Sequence, residues 1–428
     1  MMRKLMLALM VVMGMAMPMA AELCTPDAVP AASLLLPYFE VDLDNPDGVT
    51  TLFSINNASA TAVLAHVTVW TDMSVPVVDF DVYLTGYDVW TMNLRDLIVD
   101  GVISPTASAG QDPGDAISNK GDFSQDINFA SCGDKLPPPA TLGGIYLQHM
   151  QALLTGGQSG LTGLCGGFRY SDNVARGYVT VDTVNACSIL FPGDAGYWGV
   201  FPTNQNVLWG DFFRVDSANN FAQGETLVHL EATGQSFVQE AYTAYVPGDM
   251  TFYGRYVAYT AIDQREPLPS TWASRYLIGG GFDGGTDLTV WRDSNVNTGS
   301  VSCSNNSTYG TSWYPLTVTQ GLIFDEEENP SIASGCPASP CIEEDLLIPL
   351  EAQLITVGSD ELPVENNFGW VYLNLNHAKG NVAAAGLAQA WVGANMDADG
   401  RFSVGFEGVS FNQLCAGPTQ YPALIGGN

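Results

Sequence analysis

The chain has 428 residues, of which 46% are hydrophobic and 11% aromatic, enough for a sizeable buried core and too apolar for wholesale disorder. Lys and Arg number 14 against 45 Asp and Glu, a net charge of −31. Such a polyanion repels phosphate backbones and anionic bilayers, which sets aside nucleic-acid binding and an electrostatic grip on membranes.

Met1–Ala21 reads as an export signal. Arg3 and Lys4 precede the apolar run Leu5–Met15, Pro18 breaks it, and Ala20-Ala21 supplies small residues for cleavage. The run is shorter than the roughly 20 residues that span a bilayer. Leu23 is a poor residue to precede a lipoprotein cysteine at Cys24. The mature chain is therefore expected outside the cytoplasm: extracellular, on the cell surface or in the periplasm. Its cysteines, Cys24, Cys132, Cys165, Cys187, Cys303, Cys336, Cys341 and Cys415, are even in number, which in an exported chain implies disulfides. Four lie in each half, so two bridges per half is the economical pairing.

The periodicity along the chain is that of strands. Thr50–Asn56, Ala62–Trp70, Val77–Tyr83 and Tyr87–Leu94 come first, with apolar–polar alternation clearest from Val78 to Tyr83. Thr106–Lys135 is a polar loop. A helix is expected near 143–155, where Met150, Leu153 and Leu154 recur at helical spacing before Gly156-Gly157. Further strands are expected at Arg176–Asp182, Val207–Val215, Glu225–Glu231, Thr251–Ala261, Asp287–Trp291, Leu316–Phe324, Leu346–Val357, Trp370–Leu375, Ala388–Val392 and Phe402–Phe406. Alanine-rich Asn381–Ala390 is a second helix candidate, and Asp325–Asp345 a second polar loop.

Thr68-Val69-Trp70-Thr71-Asp72 is echoed by Thr289-Val290-Trp291-Arg292-Asp293, and Glu266–Ser270 looks like a joint. The fold class expected is mainly β: a signal over 1–21, then two antiparallel, Ig-like β-sandwich domains over 22–262 and 263–428, with the helix inserted in the first.

Two acidic clusters are candidate metal sites. Asn395, Asp397 and Asp399, followed by Gly400, resemble the start of a calcium loop, because calcium wants several oxygens and glycine lets the chain fold round it. The acid that closes such a loop is missing at Phe406, and Asp-Gly is also a strong hairpin signal. Asp42, Asp44 and Asp47 could converge on a cation, and Asn45-Pro46-Asp47-Gly48 is equally a turn sequence. Calcium is the one cofactor these residues suggest. Trp198 and Trp313 sit in loop-like contexts and are candidate ligand-binding aromatics. His66, His149, His229 and His377 are isolated from one another, and no Gly-x-Ser-x-Gly elbow surrounds a serine. The sequons at Asn57, Asn305 and Asn306 suggest surface positions.

Leu36–Asp42 and Thr51–Ser59, with Gly177–Asp182 and Phe368–Leu375, resemble uncharacterised exported bacterial proteins of β-sandwich form. That resemblance implies export and carries no activity. The expected function is a secreted or surface structural or adhesive protein, non-catalytic, meeting an envelope or extracellular protein or glycan, or itself. The alternative is a calcium-stabilised carbohydrate-binding module or carbohydrate-active enzyme.

Overall fold

The computed structural model describes residues 28–106, 132, 136, 140–232, 251–257, 262–293, 301–304, 306–307, 316, 318, 320–332, 348–376 and 388–410. The expected signal, Cys24, Cys336, Cys341, Cys415, Trp313, His377 and Asn305 lie outside these residues, as does most of the second helix candidate.

The protein is mainly β, and its strands form four sheets whose pairings are all antiparallel. The first sheet is ordered β10 (Val228–Leu230), β1 (Ser33–Asp42), β6 (Val174–Val184), β3 (Val63–Thr71), β4 (Pro76–Leu84). The second runs β5 (Val89–Asn93), β2 (Thr50–Asn57), β8 (Asp211–Asp216), β9 (Phe221–Thr226), with β7 (Leu208–Trp209) on β2. The third runs β14 (Pro330–Ile332), β13 (Gln320–Phe324), β16 (Phe368–Asn374), β11 (Thr271–Leu277), β19 (Val409–Ser410). The fourth runs β15 (Ala352–Thr356), β12 (Gly285–Arg292), β17 (Ala390–Asp397), β18 (Ser403–Glu407).

Strand alternation distributes side chains between two cores. Leu34 and Leu36 of β1, Val63, Ala65 and Val67 of β3, and Val179 and Val181 of β6 join Phe53, Ile55 and Phe212 of the second sheet. From the opposite face of the first sheet, Leu35, Tyr38, Trp70 and Tyr178 join Trp272, Val290, Trp291 and Trp391. The first sheet is thus covered on both sides, and β3 is buried along its whole length. The two echoed segments meet here: Trp70 and Trp291 both pack on Tyr178, with ring centroids 5.7 and 5.9 Å away.

Several expectations need correction. β1 is a strand the periodicity does not reveal, because burial on both faces removes the alternation. Its Pro37 falls within the register shift between Leu36 and Phe39, where a bulge tolerates the missing donor. Thr251–Val257 is a series of turns, closed by Gly254 N–H to Thr251 O at 3.0 Å and Tyr256 N–H to Tyr253 O at 2.9 Å. Its aromatics plug the second core instead of lining a strand. The strand expected to reach Leu94 ends at Asn93, whose side chain accepts the Arg95 N–H at 3.0 Å and starts α1 (Leu94–Ile98).

The helix α2 spans Gly144–Leu154 and buries Met150, Leu153 and Leu154. Gly156 follows at φ +70°, where an added Cβ would stand 2.5 Å from Phe168 O, so only glycine fits. Two disulfides lie among the described residues. Cys132–Cys187 stays within the first half, but Cys165–Cys303 crosses into the second. Two bridges per half is therefore wrong: Cys165 follows α2 on a loop that reaches Val301, pairing with it as an isolated bridge.

Candidate functional site

The edges of the second and fourth sheets lie side by side. Ala222 N–H on β9 donates to Ser403 Oγ on β18 at 3.0 Å, and that hydroxyl donates to Ala222 O at 2.6 Å. Near the β17–β18 turn this seam opens into a cleft of about 510 Å³. Glu40 of β1, Arg214 of β8, Asp287 of β12, and Asn395 and Asp397 of β17 reach it, with Phe221 of β9. Three sheets therefore position its polar groups.

Arg214, 4% exposed, organises them. Its guanidinium donates to Glu40 Oε2 at 3.2 Å and Asn395 Oδ1 at 2.8 Å, and it stacks over Phe221 at 5.1 Å. Glu40 also accepts from Arg176 Nε at 3.3 Å, and Arg176 pairs with Asp172 at 2.7 Å. Burial raises the Asp287 pKa against the opposing pull of the Thr356 hydroxyl, at 2.6 Å, and of Arg214. Asp397 Oδ1 is buried without a hydrogen-bond partner. The cleft thus offers fixed acceptors and amides, locked by a cation, which suits recognition of hydroxyl and amide groups.

Asn395, Asp397 and Asp399 all fall in this cleft, at a hairpin tip where Asp399 and Gly400 take φ +46° and +77°. Asp42, Asp44 and Asp47 are elsewhere, Asp42 at the end of β1 and the other two in the β1–β2 loop. Asp42 Oδ1 accepts the N–H groups of Asp44 and Asn45 at 2.9 and 3.0 Å, and Asp47 N–H donates to Asn45 Oδ1 at 3.1 Å. Arg95 clamps the same loop through the carbonyls of Asp42, Gly48 and Val49. Among the described residues no three His, Cys, Asp or Glu side chains are grouped to hold a metal. Trp198 is half-buried: its indole donates to Pro192 O at 2.8 Å, and its ring lies 4.7 Å from Tyr253 and beneath Arg265.

His66 is wholly buried between Asp81, 2.9 Å from Nδ1, and Asp79, 3.5 Å from Nε2. Burial opposes its charge, but the Asp81 hydrogen bond and both carboxylates outweigh it and raise the pKa. His149 meets Ser159 Oγ at 2.6 Å. The two sequon asparagines among the described residues, Asn57 and Asn306, are interior, contrary to expectation. Asn57, 2% exposed, donates to Thr61 O and Thr85 O; Asn306, 1% exposed, donates to Gly156 O and Gly167 O. Each amide ties neighbouring backbone carbonyls together, a task for which its two donors suit it.

Sequence reasoning missed the arginines. Arg255 joins Asp293 at 3.0 Å, Glu351, and the Tyr178 hydroxyl at 3.1 Å. Arg265 joins Asp182 and Asp263, both at 3.4 Å, and Ser33. A signal existed for Arg214, which sits in the apolar run Phe212-Phe213-Arg214-Val215, but not for Arg265, which sits in Asp263-Gln264-Arg265-Glu266. Compared with known families, curated proteins and solved structures, the chain gives no match.

Proposed function

We propose that this is an exported, non-catalytic structural or adhesive protein of the cell surface or exterior, and that the seam cleft is its contact site. The observation that supports this reading most is the locking of Arg214 between Glu40 and Asn395. Groups held this firmly from several sheets favour binding over turnover, since recognition gains from preorganised partners. The expected partner is an envelope or extracellular protein or glycan. The test is retention of the purified mature chain on envelope fractions. Asn395→Ala together with Asp397→Ala should weaken retention at least about tenfold, the scale of one lost charged hydrogen bond. No retention of the parent chain overturns the proposal.

A carbohydrate-binding reading is favoured by one feature, the clustering of carboxylate and amide groups around Phe221. Saturable hits on a glycan array, lost in the same variant, would support it. Calcium belongs to this second reading only if the ion raises the melting temperature and a chelator reverses the rise.

A further inference from the structure

Further along the seam lies a second, separate cavity of about 330 Å³, between β9 and β10 on one side and β17 and β18 on the other. Glu225 enters it from the edge strand β9. Its cross-strand partner on β8 is Phe212, a first-core residue, so the carboxyl hangs on the inward side of that edge. Both Glu225 oxygens are buried, and the Gln223 side chain is a hydrogen-bonding neighbour of the carboxyl. Glu407 of β18 enters from across the seam, and its Oε1 accepts the Trp391 indole N–H at 3.1 Å. Gly393 makes this possible. A Cβ there would stand 2.4 Å from the Trp391 ring, so its absence lets the indole lie along β17 toward Glu407. The rest of the wall is apolar at Leu227, Trp391 and Phe406, and it also carries the titratable His229 of β10.

We infer that this cavity receives an alkylammonium group, with the ammonium between the Glu225 and Glu407 carboxylates and the alkyl stem along Leu227, Trp391 and Phe406. An ammonium brings three donors and a positive charge, which answers both the acceptor capacity Gln223 leaves over at Glu225 and its repulsion by Glu407. An aliphatic stem behind a charged head needs an apolar wall beside an acidic one, and the cavity has both. Calcium fits less well, because it takes six to eight oxygens and no third acidic ligand joins these two among the described residues. The shared chemistry is that of a free diamine and of a lysine side chain.

The experiment is calorimetric titration of the mature protein with cadaverine, and separately with Nα-acetyl-lysine methylamide, using the Nε-acetylated form of the latter as the uncharged control. Saturable one-to-one binding is expected at pH 8. Burial and the charge of Glu407, opposed by Arg214 and Gln223, push the Glu225 pKa to about 7. Protonation then competes with the ligand, so affinity should fall about tenfold per pH unit below that value. Glu225→Gln should weaken binding at least tenfold and flatten the pH profile; Glu407→Gln should weaken it too. Tighter binding of cadaverine identifies a free diamine, and tighter binding of the lysine amide a polypeptide partner. Absence of saturation, equal binding of the acetylated control, or affinity unchanged in folded Glu225→Gln overturns the inference. Should that variant fail to fold, the parent's pH profile and the acetylated control decide the question.

Discussion

The two cores are built differently. The one between the first and second sheets is mostly aliphatic, with Leu34, Leu36, Val67 and Val181 against Phe53 and Ile55. The one beyond the first sheet gathers Trp70, Tyr178, Trp272, Trp291 and Trp391, and carries Arg255 and Arg265 with their carboxylates at its margins. An aliphatic core tolerates many arrangements of similar volume. A core threaded by ion pairs permits few, because each charge must keep its partner or remain buried alone. The contrast teaches where sensitivity to substitution should concentrate: at the junction of the layers.

Removing Arg255 attacks that junction most directly. Arg255→Met takes the hydrogen-bonded cation from fully buried Glu351 and from Asp293, leaving the charge of Arg292 beside them. Chemical denaturation should show a loss of about 3–5 kcal/mol, and a loss below about 1 kcal/mol would dissolve the distinction between the cores. Next is the cross-half disulfide, which closes a sequence separation of 138 against 55 for Cys132–Cys187. Replacing Cys165 and Cys303 together by Ala should cost about 2–4 kcal/mol, read from the shift in denaturation midpoint. An unchanged midpoint would mean that packing alone joins the halves.

The third effect is a slope with pH, small over any one pH unit, and concerns Asp72. Its carboxylate accepts Phe168 N–H at 2.9 Å, and its carbonyl accepts Glu351 N–H at 3.0 Å. Burial, against the Phe168 hydrogen bond and the charge of Arg176, raises its pKa to about 7. The folded state therefore holds a proton that the unfolded state releases from about pH 4. Its contribution to stability is full below that pH and is lost as pH rises toward 7. Asp72→Asn should remove up to about 1 kcal/mol per pH unit of slope between pH 4 and 7, seen in melts across that range. An unaltered slope would show that this carboxyl ionises freely.

The strand at Val78–Tyr83 was legible from its alternation and becomes β4, but it has no wet face over Phe80–Leu84, which is buried throughout. β1 was not, since Leu34, Leu35 and Leu36 feed two cores in turn and erase the period. The helix α2 was legible from Met150, Leu153 and Leu154, while α1 was hidden by its five-residue length. Of the candidate site, Asn395, Asp397 and Asp399 were legible as a cluster on one hairpin. Glu40, Arg214 and Asp287 were not, because nothing local links positions brought together by sheet stacking. Glu225 and Glu407 were two acids among 45, and only their shared enclosure distinguishes them.

The interior placement of Asn57 and Asn306 bears on how the chain can be manufactured. In a eukaryotic secretory host, oligosaccharide is attached to asparagine while the polypeptide is still emerging and open. A sugar on either amide would occupy the very nitrogen that must later reach Thr61 and Thr85, or Gly156 and Gly167. Decorated molecules would lose hydrogen bonds that join distant segments, whereas a bacterial expression host lacking that machinery would leave both latches intact.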